Sequence, residues 1–164
     1  MEVETVFDHT KLAYRRLNRN DTDLFVKLRL DFLNELYNDI DITTQKRIAD
    51  ALRKYFTKHL DKNELIVIIC EYDGQPVSTA YLVINELPPS NVYLDGKVAT
   101  LVNVFTYPEY RNNGISTNII KMLIDAAKEQ DVSVIDLLAT QAGEPVYEKA
   151  GFLDSEDRSM RLIL

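Results

Sequence analysis

The sequence has little of the material from which disulfides, metal clusters and membrane anchors are built. Cys70 is the only cysteine among 164 residues, which excludes an internal disulfide and argues against a thiolate metal cluster. With only His9 and His59 besides, we predict no metal cofactor. No apolar run approaches the roughly 20 residues of a membrane helix. Residues 1–5 lack the basic start and apolar stretch of a signal peptide, so we expect a cytosolic protein with no membrane partner.

Basic residues are also fewer than acidic ones. The chain carries 19 Lys and Arg against 26 Asp and Glu, for a formal net charge of −7. This balance argues against nonspecific binding to nucleic acid. A polyanionic ligand would need local backbone donors and a few bases to overcome the repulsive field. The length favours one domain with a sizeable core.

The hydrophobic periodicity predicts a mixed α/β domain with the element order β-α-α-β-β-β-α-β-α-β-β. Strands are predicted over 10–17, 65–70, 77–84, 98–106 and 132–138, and a final hairpin over 152–164 that turns near 154–157. Helices are predicted over 24–40 after a cap at Asp21 or Asp23, from Thr43 or Thr44 to His59, over 114–130 and over 144–150. The strands at 98–106 and 132–138 flank a helix, so we expect them to be parallel.

The loop before the helix at 114–130 has the chemistry of an anion site. A helix N-terminus carries unpaired N–H groups and a positive dipole end. Gly114 lets the backbone approach an anion, Ser116 is small, and Arg111 supplies a fixed positive fork. On these residues alone, an ordinary helix entry explains the loop equally well.

Two segments resemble motifs of the GNAT superfamily of N-acetyltransferases. The loop Arg111–Ser116 is similar to the signature (Gln/Arg)-x-x-Gly-x-(Gly/Ala), which cradles the pyrophosphate of acetyl-CoA, although Ser116 departs from the final Gly/Ala. The later segment 147–152 (YEKAGF) resembles the family's Tyr-Glu-Lys-x-Gly-Phe ending. The element order matches the family from about residue 10 onward, which leaves residues 1–10 as a leading segment outside the resemblance.

The resemblance implies one GNAT domain over 1–164 that uses acetyl-CoA as co-substrate and acetylates a primary amine by direct attack in a ternary complex. The strand at 98–106 then splays from that at 132–138, and backbone groups at 104–106 bind pantetheine and stabilise the oxyanion. The residues predicted to bind acetyl-CoA are Val104, Phe105, Thr106, Arg111, Asn112, Asn113, Gly114, Ile115, Ser116, Thr117 and Thr140.

The resemblance also places a general acid at Tyr147, which would protonate the departing thiolate; the alternative is that its ring only packs over the cofactor. Glu35 is the candidate general base, with Asp31 and Glu86 as alternatives. A solvated surface position is the more common explanation for each of these acids. A noncatalytic acyl-CoA sensor is the alternative function.

The acceptor, a small molecule or a peptide, is predicted to be cationic because two regions that border the acceptor site in this family carry negative charge. These are the helical stripe of Asp31, Glu35 and Asp39 and the acids of the predicted hairpin, Asp154, Glu156 and Asp157. A solvated helix face explains the same stripe. Arg29 lies beside the apolar face of that helix, where it is placed to reach a carboxylate. The apolar segment 160–164 fits either an internal strand or the strand of a homodimer.

Overall fold

The computed structural model describes residues 7–156 and 158–164, which form a five-stranded mixed sheet flanked by four α-helices. The strands are β1 (Leu12–Arg16), β2 (Leu65–Tyr72), β3 (Gln75–Glu86), β4 (Lys97–Thr106) and β5 (Val134–Asp136), in that order across the sheet. The helices are α1 (Thr22–Tyr37), α2 (Ile42–Leu60), α3 (Ile115–Glu129) and α4 (Glu144–Lys149). β1 to β4 are antiparallel and β5 is parallel to β4, which confirms the predicted βαβ unit.

The strand β2 shows why the sheet is covered on both faces. Alternate side chains of a strand point to opposite faces. Ile66, Ile68 and Cys70 therefore pack in the core under α3, while Val67 and Ile69 pack under α1 and α2. This confirms the prediction of a buried strand over 65–70 and a core position for Cys70.

Local backbone chemistry sets the ends of α1 and α2. α1 ends at Tyr37 instead of Ile40, because Asn38 and Asp39 adopt left-handed conformations with φ of 52° and 65°. α2 begins earlier than predicted, since the Asp41 carboxylate accepts from the N–H groups of residues 43 and 44 at 2.9 and 3.0 Å. Asp21 is the N-cap residue of α1, as predicted, but its carboxylate does not accept from the N–H groups of the helix. It accepts instead from Arg15 and from the N–H of Asn18.

The turn between β2 and β3 confirms the prediction from its sequence. Asp73 and Gly74 both have positive φ, 50° and 77°. Two successive left-handed residues make the tight turn whose twist matches that of the flanking strands.

The predicted C-terminal hairpin is wrong for the part of it that the structure describes. Residues 152–156 and 158–164 contain no strand, and Asp157, in the predicted turn, lies outside the described residues. The edge strand β5 offers only three residues for pairing, shorter than the predicted 132–138, and an isolated hairpin is marginal in water. Met160 and Leu162 are 94% and 83% exposed. Whether 160–164 pairs with a second copy stays a prediction.

β4 and β5 separate after Thr100, which opens a gap between the two strands. They pair only between Val98–Thr100 and Val134–Asp136, so β4 runs on to Thr106 beyond β5. On its other side, β4 carries a bulge opposite β3, between its pairings at Val102 and Phe105. The splay and the bulge together expose the end of β4, from Val104 to Thr106, to a cavity. None of the helices in the described ranges has the length and apolar character needed to cross a bilayer.

Candidate active site between the splayed strands

A cavity of about 660 Å³ lies where β4 separates from β5, between the start of α3, the α4 region and α1. This volume is in the range of ligand pockets, about 300–1,000 Å³. The predicted residues that line it are Glu35, Val104, Phe105, Thr106, Arg111, Asn112, Gly114, Ile115, Ser116, Thr117, Thr140 and Tyr147. The structure therefore brings the two sequence motifs and the end of β4 around one space.

The loop before α3 presents backbone to this cavity. Asn112 and Gly114 have positive φ of 65° and 73°, and Gly114 is the N-cap of α3. No heavy atom lies within 4 Å of where a Gly114 side chain would begin, so an anion can reach the backbone there. The N–H groups of the first helical turn have no intrahelical partner and suit a phosphate.

Asn113 is the predicted cofactor residue that does not line the cavity. Its side-chain amide donates to the carbonyls of Tyr110 and Arg111 at 3.2 and 3.0 Å. These hydrogen bonds stay within the loop, so Asn113 stabilises the loop conformation and does not face the cavity.

Arg111 is held at the cavity wall by two partners. Its Nε donates to the carbonyl of Thr106 at 2.8 Å, and its Nη2 donates to both carboxylate oxygens of Glu35 at 2.6 and 2.7 Å. The side chains of Arg111 and Glu35 are 42% and 47% exposed, so this ion pair is open to an incoming anion. Two residues predicted for different roles thus contact each other.

Tyr147 lies against the opposite wall, in the α4 region. Its ring packs against the backbone of Gly143, and Phe152 meets it edge-on at 6.1 Å between centroids. Burial raises the pKa of Tyr147 above its usual value. Thr140 lies nearby, where its Oγ1 accepts from the Gly143 N–H at 3.3 Å.

The bulge of β4 centres on Asn103, a buried residue with φ of 57°. Its Oδ1 accepts from Nη1 of Arg29 at 2.9 Å, so α1 is tied to the bulge. The neighbouring carbonyl of Phe105 accepts from the Ser78 hydroxyl at 2.8 Å, which anchors the end of β4 to β3.

Of the other candidate acids, Asp31 is engaged, whereas Asp39 and Glu86 lie away from the cavity. Asp39 follows the end of α1, so the predicted helical stripe is wrong at that position. Asp31 accepts from Lys27 at 2.6 Å and from the hydroxyl of Tyr107. Burial and the Asp31 charge both raise the pKa of Tyr107, so this phenol stays protonated. Asp39 and Glu86 are exposed and do not line the cavity.

Several lining residues were missed from the sequence: Phe32, Leu36, Tyr110, Ala142, Gly143, Val146 and Lys149. Phe32 and Leu36 follow the helical period that marks core residues, and this period does not separate a core face from a cavity wall. Lys149 could have been predicted from the sequence, because it is the basic residue of the segment 147–152 that resembles the family's later motif.

Comparisons with known proteins agree with this geometry. The acetyltransferase (GNAT) family model matches residues 30–152. An uncharacterised N-acetyltransferase of Archaeoglobus fulgidus is 25% identical over 146 residues, covering 89% of this chain and 92% of its own. Another, from Methanocaldococcus jannaschii, is 26% identical over 145 residues; that alignment covers 87% of this chain but only 61% of the relative.

Among solved structures, that of a predicted acetyltransferase from Clostridium acetobutylicum with acetyl-CoA superposes with a TM-score of 0.81. It is 30% identical, and the match covers 92% of this chain and 96% of that one. With a family model that spans most of the sequence and a fold shared along nearly its whole length, the chain belongs to the GNAT family of acetyltransferases.

Proposed function

We propose that this chain transfers the acetyl group of acetyl-CoA to a primary amine by direct attack in a ternary complex. The observation that carries the proposal is the cavity between β4 and β5, which has a loop suited to an anion at one wall and a half-buried phenol at another. The names of its relatives and of the structure with acetyl-CoA support the same chemistry.

The reaction needs few side chains. The amine nitrogen attacks the thioester carbonyl, a C–N bond forms, the C–S bond breaks with its electron pair on sulfur, and the amine loses a proton. A backbone N–H near Val104 would stabilise the oxyanion, a contribution typically about 2.7–4 kcal/mol. This explains why the exposed edge of β4 matters more than the identity of its side chains.

Tyr147 is the proposed donor of the proton that the sulfur takes up. Because burial raises its pKa, the phenol is protonated throughout the neutral range. Transfer to a thiolate with a pKa near the usual value of about 8.5 would be uphill. A thiolate that departs into this cavity is partly desolvated and so becomes more basic, which restores driving force.

Direct attack, instead of an acyl-enzyme, agrees with where the chain keeps its only thiol. Cys70 is completely buried in β2 and does not line the cavity, so it is not placed to carry an acetyl group. We expect intersecting initial-rate patterns with the two substrates varied, as a ternary complex requires. Parallel lines would indicate a covalent intermediate.

Glu35 remains the candidate general base, acting through water. Its pairing with Arg111 means that the carboxylate must leave the guanidinium first, and a bound pyrophosphate would displace it. The cationic acceptor proposed from the acidic stripe keeps the support of the net charge of −7. The pairing of Asp31 and Glu35 with bases weakens the contribution of the stripe itself.

The test is a thiol-release assay with acetyl-CoA against polyamines, aminoglycosides, amino acids and peptide N-termini, with calorimetric titration of acetyl-CoA alongside. Turnover with one class is the expected result. Binding of acetyl-CoA without thiol release from any amine would favour a sensor, and absence of binding would reject the proposal.

A further inference from the structure

Arg29 is a half-buried cation without a counter-ion among the described residues. Its Nη1 donates to Oδ1 of Asn103, and its guanidinium carbon lies 5.5 Å from the centroid of the Phe32 ring, but it forms no ion pair. Arg15, also half-buried, pairs with two carboxylates, those of Asp21 and Glu71. A buried charge is costly unless it is paired. The chain has more acidic than basic residues, yet none of the described acids pairs with Arg29. Arg29 is therefore a candidate for binding the negative charge of a ligand.

The phenols near Arg29 do not supply the missing charge. Burial raises the pKa of Tyr81 to about 12, although the charge of Arg29 opposes this shift. Burial also raises the pKa of Tyr55, again against the influence of Arg29. Both phenols are therefore neutral at physiological pH.

An unpaired donor lies beside the guanidinium. Asn103 is only 5% exposed, and its Nδ2 has no hydrogen-bond partner in the described part of the chain. Nδ2 and Oδ1 are bonded to the same carbon, and Oδ1 already accepts from Arg29. A buried donor left unpaired costs about 1–3 kcal/mol. Nδ2 itself is closed to solvent, so Asn103 acts by holding the guanidinium of Arg29 in place, and an anion would have to contact Arg29.

Arg29 also belongs to the wall of a recess between α1 and α2. The recess holds about 390 Å³, and the other residues that line it are Leu33, Ile48, Ala51, Leu52 and Tyr55. Its wall is thus mainly apolar, with one cation. Phe32 and Leu36, on the same side of α1 as Arg29 and Leu33, line the active-site cavity, so the recess and that cavity lie side by side.

We propose that Arg29, held in position by Asn103, binds the carboxylate of the acceptor, and that the recess takes its apolar substituent. The acceptor class is then a small amine that carries a carboxylate and a hydrophobic side chain, which is an alternative to the cationic acceptor that the net charge favours. The inference rests on the proposed acetyl transfer for its amine, but the anion subsite itself does not. Asn103 directly precedes Val104, whose backbone faces the cavity, so the subsite adjoins the position proposed for the reacting carbonyl.

The kinetic test compares leucine with leucinol, which lacks only the carboxylate. We expect kcat/KM of the wild type to favour leucine by at least about tenfold, as a charge-assisted bond implies. Arg29→Gln should remove this preference, and Arg29→Lys should restore part of it. Arg47→Gln, an exposed arginine on α2, is the matched control and should keep it. An unchanged KM for acetyl-CoA verifies the fold of each variant.

A binding test separates this inference from the proposed function. Isocaproate, which is leucine without its amine, is titrated into the ¹⁵N-labelled full chain. We expect it to shift the Asn103 side-chain amide resonances in the wild type and not in Arg29→Gln. Such a shift supports the subsite even if no amine is acetylated, an outcome that would reject only the transfer. Absence of a shift in the wild type, or leucinol turnover equal to that of leucine, overturns the inference.

Discussion

Tyr147, Glu35 and Arg111 show how differently single residues can contribute to one cavity. The phenol is half-buried and packs against Gly143 and the ring of Phe152, whereas the carboxylate and the guanidinium hold each other at 2.6 Å. The arrangement of Tyr147 suits a group that protonates the thiolate as it departs. That of Glu35 and Arg111 suits groups that exchange partners when a ligand arrives.

Replacing Tyr147 with Phe tests the acid role. The ring contact with Phe152 survives, but the transferable proton is lost. We expect kcat to fall by about 10²-fold, the lower range for a general acid, with little change in the KM of acetyl-CoA. Because the raised pKa keeps the phenol protonated, wild-type kcat should not decline on the alkaline side below the ordinary phenol value of about 10. An unchanged kcat in the variant would leave Tyr147 a packing role only.

Gly143→Ala tests the position of the same phenol without removing it. The new Cβ would lie 3.0 Å from Cε2 and 3.4 Å from the hydroxyl of Tyr147, so the ring must shift by a few tenths of an ångström. The backbone of Gly143, with φ of −87°, accepts Ala without strain. We therefore expect a lower kcat at unchanged thermal stability. Full activity would show that the phenol needs no fixed position.

Glu35→Gln distinguishes a base from a competitor for Arg111. The amide no longer holds the guanidinium as an ion pair, so pyrophosphate meets less competition. We expect a lower KM for acetyl-CoA, by a factor of a few, from the lost competition, and a fall of about 10²-fold in kcat from the lost base. A lower KM with unchanged kcat would leave Glu35 only the role of a competitor.

At the scale of elements, β1 and the start of α1 are joined through Asp21. Its burial disfavours the charged form, but hydrogen bonds from Arg15 and from the Asn18 N–H outweigh this and hold the pKa of Asp21 below its usual value. With a depressed folded pKa, this carboxylate stabilises the fold above its unfolded pKa of about 3.9. That stability is lost as the pH falls through the folded value.

Asp21→Asn should accordingly lower the free energy of unfolding by about 1–2 kcal/mol at pH 7. The difference in the free energy of unfolding between variant and wild type should vanish below the folded pKa. Urea denaturation at pH 7 and at a pH below that pKa measures the difference. Asp23→Asn removes a carboxylate that is 89% exposed and serves as the control, with an expected change within about 0.5 kcal/mol. Equal effects of the two variants would contradict the pairing.

The elements also show what a sequence reveals and what it conceals. The run from Leu65 to Cys70 and the pair Asp73-Gly74 specify a strand and its turn locally, and both were predictable. The bulge at Asn103 was not, because a left-handed residue inside 98–106 leaves no trace in the pattern of apolar side chains. The absent C-terminal hairpin depends on how much of β5 is available for pairing, which is a tertiary property.

The site divides in the same way. Helix-entry chemistry and two motifs pointed to the loop at 111–116 and to Tyr147, and the structure places them around one cavity. The Glu35–Arg111 pair and the contact of Arg29 with Asn103 join residues 76 and 74 positions apart. Such long-range contacts have no local signature.

At the scale of the whole molecule, a net charge of −7 must be overcome locally to hold a polyanion. Acetyl-CoA at a hundredfold excess over its Kd should stabilise the fold by about 2.7 kcal/mol. Arg111→Gln should greatly reduce the resulting rise in Tm, with little effect on the Tm of the free protein, because the side chain is 42% exposed. Differential scanning calorimetry measures both values, with Arg47→Gln as the control; an undiminished rise would place the phosphate elsewhere.

The burial of Cys70 has a practical consequence. Burial raises the pKa of its thiol and the side chain is closed to reagents, so a disulfide reagent added to the folded protein will react with released CoA alone. The same thiol becomes reactive when β2 opens. In a sample without acetyl-CoA, the rate at which Cys70 is labelled therefore measures how often the central sheet opens.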